Sequence, residues 1–341
     1  MAQAESRFYR QRNEITAMLP PPQMKPTSFL AFALAGVMAC AGASPKPPAT
    51  PPVPDTWLTT LDATSPLVGK AWDAHTLGPR DRAEAQLVDA RFVLLGEKHD
   101  NPDHHRLQAH ALAAVVAHGR HPAVLFEMID LDLQPAIDTY LARADATVDG
   151  LAFVLEWDKR GWPGWNLYRP IFEVAVAAHL KIVATGLGHD TIRAVVKQGL
   201  SALPPDMAAR LHLERPLAPA LAASLDEEIK ASHCGFLPDA MVAPMSLAQR
   251  VKDALMADLM LAHDTADGAV LIAGNGHVRT DRGVPEYLRA SRAGAHSVSI
   301  SFVEVEKGAG DAAPYAADQP ADFLVFTPRL EDDDPCAEFR K

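Results

Sequence analysis

Four short apolar runs fix the fold class before anything else is known. Residues 91–96 (RFVLLG), 123–127 (AVLFE), 181–186 (KIVATG) and 269–274 (AVLIAG) are too short for buried helices and rich in aliphatic and β-branched side chains, which suits strands covered on both faces. Amphipathic segments separate them. Asn101-Pro102 reads as the cap and first residue of a helix whose stripe, Leu107, Leu112, Val115 and Val116, runs up to Gly119. Residues 133–143, 191–198, 246–263 and 285–290 read as further helices, and 203–245, rich in Pro and Ala, as irregular lid material. Residues 297–305 alternate as an outer strand, and 322–327 (DFLVFT) close the sheet. This alternation predicts an α/β fold: a central, largely parallel sheet flanked by helices, with a helical lid or insert.

Composition excludes several alternatives. Lys+Arg is 32 against 43 Asp+Glu, a formal net charge of −11, so nucleic acid is not an expected partner. Three cysteines, Cys40, Cys234 and Cys336, are too few for a disulfide framework. No segment reaches the roughly 20 apolar residues of a spanning helix. The N-terminus reads as an address. Arg7, Arg10, Arg12 and Lys25 precede an uncharged apolar run, 29–39 (FLAFALAGVMA), the order found in secretory signals. Val37-Met38-Ala39-Cys40 resembles a bacterial lipobox, with Cys40 as the lipidated first mature residue; cleavage after Ala41-Gly42-Ala43 is the alternative. The expected organisation is a signal peptide over 1–39, a stiff Pro-rich tether over 40–56, the α/β domain over 57–330, and a solvated acidic tail over 331–341. The expected location is the bacterial cell envelope, anchored to a membrane through Cys40.

The chemistry gathers where strands end. The first run leads into Gly96-Glu97-Lys98-His99, the second ends in Glu127, and the fourth leads into Gly274-Asn275-Gly276-His277. Ligands of open α/β sheets bind outside the carboxyl ends of the strands, so two Gly-x-x-His segments and a glutamate converge there. The glycines are expected to let the backbone turn sharply, aiming each imidazole over the sheet edge. Glu97, His99, Glu127 and His277 then form an acid–base site, or His99, His277 and Glu127 hold a divalent metal. His105, on the inward face with Gln108 and Leu112, lines the pocket, while His104 points about 100° away. A buried Glu127 needs a partner, and His99, His277 or Arg279 is the candidate. Gly186-Leu187-Gly188-His189, followed by Asp190, reads as a helix-capping turn. Trp157, Trp162, Trp165 and Tyr168 form either a local packing knot or a flat apolar wall for a planar ligand.

The ordered set resembles a known family. Gly96-Glu97-Lys98-His99-Asp100-Asn101-Pro102-Asp103-His104-His105, Phe126-Glu127-Met128, Gly161-Trp162, Trp165-Asn166-Leu167-Tyr168-Arg169-Pro170-Ile171, Ala248-Gln249 with Asp253, Gly274-Asn275-Gly276-His277-Val278-Arg279 and Phe326-Thr327-Pro328 are similar, in the same order, to the ChaN-like haem-binding lipoproteins. Gly186-Leu187-Gly188-His189 departs from the family pattern. The resemblance implies a membrane-anchored lipoprotein that takes haem as cofactor for iron acquisition or handling. In one member haem binds as a cofacial pair between two subunits, with Tyr and His ligation, which implies a homodimer. His105, Tyr168, Trp165 and Arg279 are the expected contacts to haem. The wider superfamily includes Tiki-type metalloproteases and erythromycin esterases, so the alternative is a hydrolase, with Glu97 as general base.

Overall fold

Residue by residue, the central strands send side chains alternately to two cores. In β3 (Phe92–Glu97), Val93 and Leu95 join the cluster that includes Leu112, Val115, Ile171 and Phe172, while Phe92 and Leu94 join Met256, Met260 and Leu288 on the other face. Both faces are therefore dry, which is why the run is apolar without a gap. The computed structural model describes residues 56–79, 83–292, 294–331 and 336. The proposed signal peptide, Cys40 and nearly all of the 40–56 tether lie outside these residues.

Two short strands open the domain, β1 (Ala71–Asp73) and β2 (Gly78–Pro79), followed by α1 (Ala83–Asp89), β3 and α2 (Pro102–Ala117). β4 (Ala123–Asp130), α3 (Gln134–Leu141), α4 (Val148–Val154), α5 (Trp165–Ala177) and β5 (Ile182–Gly186) come next. The helical insert is α6 (His189–Gln198), α7 (Pro205–Arg210), α8 (Pro219–Ser232) and the long α9 (Asp239–Ala262). The chain then returns through β6 (Ala269–Gly274), the single turn α10 (Asn275–Val278), α11 (Val284–Ser291), β7 (Ser297–Glu304), α12 (Ala313–Asp318) and β8 (Phe323–Thr327).

The eight strands lie in the order β2-β1-β8-β7-β3-β6-β4-β5. Every pairing from β8 to β5 is parallel, and β1 and β2 add antiparallel at the far edge. The α/β architecture is as expected. Two strand assignments change. β7 is interior, between β3 and β8, not an outer strand; its alternating serines face protein, with Ser299 Oγ donating to the Val278 carbonyl and Ser301 buried. β8 does not close the sheet, because the hairpin of β1 and β2 extends it.

α2 begins as its sequence dictates. The Asn101 side chain accepts from Asp103 N and His104 N, and Pro102 occupies the first turn, where its missing N–H is not needed. Asp103 is held in turn by Leu58 N, Thr59 N and Thr59 Oγ1 at 2.8–3.0 Å, so the N-terminal segment clamps the helix start. One disulfide joins Cys234 to Cys336 across 102 positions, which ties the start of the acidic tail to the turn after α8.

Candidate functional site

Each Gly-x-x-His glycine makes room for the other motif. β3 and β6 pair in register, Gly96 beside Ala273 and Glu97 beside Gly274. A Cβ on Gly96 would fall 2.4 Å from Asn275 Oδ1 and from Val278 Cγ2; one on Gly274 would fall 2.9 Å from His99 Nε2. Neither glycine has a positive φ. The expected sharp turn is therefore replaced by close approach: glycine is required because two loops interpenetrate.

The first network surrounds Glu97, which is 2% exposed. Its Oε1 accepts from His99 Nδ1 at 2.8 Å and from the Tyr168 hydroxyl at 2.8 Å. Its Oε2 faces His105 Nδ1 at 2.9 Å, an ion-pair contact whose alignment falls short of a hydrogen bond. The other nitrogen of His105 donates to the His99 carbonyl at 2.9 Å. A carbonyl only accepts, so Nε2 carries a proton, and a lone pair on Nδ1 would meet a carboxylate. The ring is an imidazolium. Burial pulls its pKa down, but Glu97 outweighs that and raises it. Glu97 itself is pushed down to about 2, because His105 and His99 overcome the burial penalty. Burial, reinforced by Glu97, raises the Tyr168 hydroxyl, which stays protonated.

The second network surrounds Glu127, at the carboxyl half of β4. Oε1 accepts from Lys252 Nζ at 2.7 Å and His277 Nε2 at 3.0 Å, and Oε2 from Gly274 N at 2.9 Å. His277 Nδ1 donates to Asp253 at 2.6 Å. Both nitrogens of His277 thus face carboxylates, and the ring is held as an imidazolium. Burial opposes that charge, yet Glu127 and Asp253 lift the pKa to about 9. Gln249 lies 3.1 Å from the same ring, where its carboxamide oxygen is the atom that suits a protonated imidazole. Burial raises the Glu127 carboxyl, but His277 and Lys252 hold it well below the usual range.

These contacts place the expected residues unevenly. Glu97, His99, Glu127, His277, His105 and Tyr168 come together as one floor beneath the strand ends. His104 is also buried, contrary to its expected outward direction, because α2 is covered on both sides near its start. It accepts from Lys98 N at 2.9 Å and pairs with Thr327 Oγ1 at 3.0 Å; burial holds it neutral, down to about 3. Arg279 does not reach Glu127: it pairs with Asp281 and lies 3.8 Å from Glu228. Trp165 does not form a cleft wall but packs on Trp157 and Phe172. Among the described residues, no three His, Cys, Asp or Glu side chains are disposed to hold a metal ion. Of the expected His99, His277 and Glu127 set, His277 Nε2 faces Glu127 Oε1 and His99 Nδ1 faces Glu97.

A cleft of about 940 Å³ opens beside this floor, past the carboxyl ends of β4 and β5. Glu127 and Lys252 form its base; Trp162, Leu187, His189 and Met207 are among its walls. His99 meets Trp162 edge to face, with ring centroids 5.0 Å apart, which joins floor to wall. Residues 83–288, more than half the chain, match the family described as haem-binding uptake, Tiki superfamily, ChaN. The chain belongs to the ChaN family. The structure of Campylobacter jejuni ChaN, described as showing cofacial haem binding, is similar with a TM-score of 0.60 and 21% identity, over 75% of this chain and 95% of that one. At this identity the likeness concerns the fold. Weaker likenesses are to the type III effector HopBA1 (TM-score 0.41, 15% identity, 72% of this chain and 91% of that one) and to a mutant of the erythromycin esterase EreC in its open conformation (0.34, 14%, 69% and 76%). No curated relative matches the sequence.

One residue of the site, Lys252, escaped the sequence; with Asp253 it completes the second network from α9, while Trp162, one of the expected aromatics, supplies the wall. The available signal was a polar group, Gln249, Lys252 and Asp253, interrupting an apolar helix; Gln249 and Asp253 are four apart and share a face.

Proposed function

We propose that this chain binds haem in the cleft beside the floor and takes part in haem or iron handling at the bacterial cell envelope. Membership of the ChaN family carries the reading. The residues fit the group: Trp162 with Leu131, Leu187, Ile192 and Met207 offers an apolar bed for a planar macrocycle, and Lys159 and Arg160, paired with Glu156 and Asp130, stand at the rim where a ligand carboxylate could exchange for those partners. Bound haem would supply a redox-active iron, and the protein's part is to hold, orient and shield it. Haemin titrated into the purified protein should give a saturable Soret shift at a fixed stoichiometry, weakened in Trp162→Ala; a shift that never saturates defeats the reading.

The anchor belongs to the same proposal: lipidated Cys40 holds the domain at a membrane through the Pro-rich tether. Mass spectrometry should find acyl chains on Cys40, and Cys40→Ser should release the protein from membranes; an unmodified Cys40 in the membrane fraction overturns this. Two copies facing each other around haem would also cover Phe153, which is 87% exposed and three positions from Glu156 at the cleft rim. Light scattering should then show the mass double on adding haemin, and an unchanged mass argues against the pair. The hydrolytic alternative has less support. Glu97, expected as general base, has both oxygens occupied and a pKa pushed down to about 2, and His277 offers no lone pair.

A further inference from the structure

We infer that His189 is the side chain through which this chain ligates haem iron, an inference that rests on the haem reading above. Most other histidine and tyrosine donors near the cleft are already spent. Both nitrogens of His277 face carboxylates, at 2.6 Å and 3.0 Å, and both of His105 are engaged at 2.9 Å. His104 accepts at Nδ1 from Lys98 N at 2.9 Å and lies buried against Thr327. The Tyr168 hydroxyl is buried and donates to Glu97 at 2.8 Å. His99 has Nδ1 on Glu97, and its Nε2 is pressed so close to Gly274 that a Cβ there would be 2.9 Å away. An iron needs a ring nitrogen reachable from the cleft, and of these only His99 Nε2 is without a partner among the described residues, yet His99 belongs to the floor and does not line the cleft.

His189 does. It lines the cleft, is exposed, and is the first residue of α6. It also ends a third Gly-x-x-His segment, Gly186-Leu187-Gly188-His189, directly after β5. Gly186 works as the other two do. A Cβ there would fall 2.7 Å from the Glu127 carbonyl and 2.9 Å from that of Ile129, so glycine lets the end of β5 press on β4 and brings the following turn over the cleft. In the first two segments the histidine is absorbed into the floor; in the third it is delivered to the wall, in the cleft that holds Trp162 and Met207. Among the described residues the ring's Nδ1 accepts from Arg193 Nη2 at 3.2 Å, and Nε2 has no partner.

Ligation is a simple exchange. The proton that Nε2 carries while Nδ1 accepts from Arg193 first moves to Nδ1 through solvent as Arg193 Nη2 turns away; the Nε2 lone pair so freed then bonds to ferric iron and displaces water or hydroxide from it, while Arg193 Nη1 stays near Asp190.

Haemin is titrated into the wild type, His189→Ala and Arg193→Ala, and binding is read by Soret position, electron paramagnetic resonance of the ferric iron, and affinity. The wild type should show nitrogen ligation. His189→Ala should lose that signature and bind roughly tenfold more weakly or worse, and added imidazole should restore the signature. Arg193→Ala should keep it. Saturable binding with an identical spectrum in His189→Ala overturns this inference and leaves the haem reading intact. Failure of the wild type to bind haemin defeats the haem reading, and this inference with it. Urea unfolding of His189→Ala at the wild-type midpoint separates ligation from folding.

Discussion

Replacing Gly274 by alanine probes the interpenetration of the two motifs. The new methyl would lie 2.9 Å from His99 Nε2, 3.0 Å from its Cε1 and 3.6 Å from Glu127 Oε2. Something has to move, and the half-exposed His99 ring, 36% accessible, moves more readily than the paired backbone of β6. The ring then leaves Glu97, which keeps Tyr168 and His105. Losing one charge-assisted hydrogen bond at a carboxylate that retains its other partners costs about 1–2 kcal/mol. Gly96→Ala is the contrast. Its methyl would meet Val278 Cγ2 and Asn275 Oδ1 at 2.4 Å and the Asn275 Cα at 3.3 Å, where buried Val278 and the α10 backbone have nowhere to go. That is overpacking near the upper end of its range, about 3 kcal/mol. Urea unfolding of both variants measures the costs, and NMR titration of His99 reports the ring. In the wild type, burial lowers the His99 pKa while the Glu97 bond and the Glu127 charge raise it above 6.5 overall; in Gly274→Ala it should fall back toward 6.5. Equal or greater loss in Gly274→Ala than in Gly96→Ala, or an unchanged His99 titration, refutes the account.

His277 makes stability depend on alkaline pH. Its pKa stands at about 9, above an ordinary 6.5, because its carboxylates overcome burial, so its ion pairs stabilise fully below pH 6.5 and fade as pH rises through 9. The loss is on the order of 3 kcal/mol, seen as a falling urea midpoint that is flat in His277→Gln; a flat wild-type curve means the ring is neutral. On the acid side, Glu97, held down to about 2 against an ordinary 4.5, stabilises above pH 4.5 and ceases to as pH falls through 2, so acid unfolding should begin below 4.5 and shift upward in Glu97→Gln. Glu127→Gln removes the charge between Lys252 and His277 and should cost about 3–5 kcal/mol; a loss under about 1 kcal/mol would show that the second network is solvated. Peptide mapping without reductant should recover Cys234 joined to Cys336, and reduction should lower the unfolding midpoint by the equivalent of about 2–4 kcal/mol. Free thiols at both positions would refute the link.

The sheet was legible because its central strands are dry on both faces, so each appears as an unbroken apolar run. β7 was misplaced because alternation was taken for a wet face, whereas Ser299 and Ser301 face protein. β1 and β2, three and two residues long, are too brief to leave a pattern. Helices α4 and α5 were hidden by the aromatic crowding between 157 and 168. In the site, Glu97, His99, Glu127 and His277 lie near one another because strand ends and parallel order place them there. Their protonation was not legible, because it depends on which atom faces which. Lys252 and Asp253 arrive from a helix far along the chain, and only tertiary packing brings them to Glu127. Trp162 and Trp165 sit three positions apart, yet Pro163-Gly164 separates them, and one faces the cleft while the other enters the core.

The two networks together explain how a cluster of acids and histidines can be buried. Glu97, Glu127 and Asp253 carry three negative charges, and His105, His277 and Lys252 carry three positive ones, each within 3.0 Å of an opposite partner. Burying such charges singly would be prohibitive, whereas a balanced and hydrogen-bonded set is tolerated and holds one arrangement. His99 is the member left over, and the one histidine of the floor that is not fully covered. The paired motifs therefore build a rigid base, while the cleft walls come from the segments after β4, after α4 and after β5. On the proposed haem reading ligand selection resides in those walls, so changing Trp162 or His189 should alter what binds with little effect on folding, and changing Glu97 or Glu127 should do the reverse.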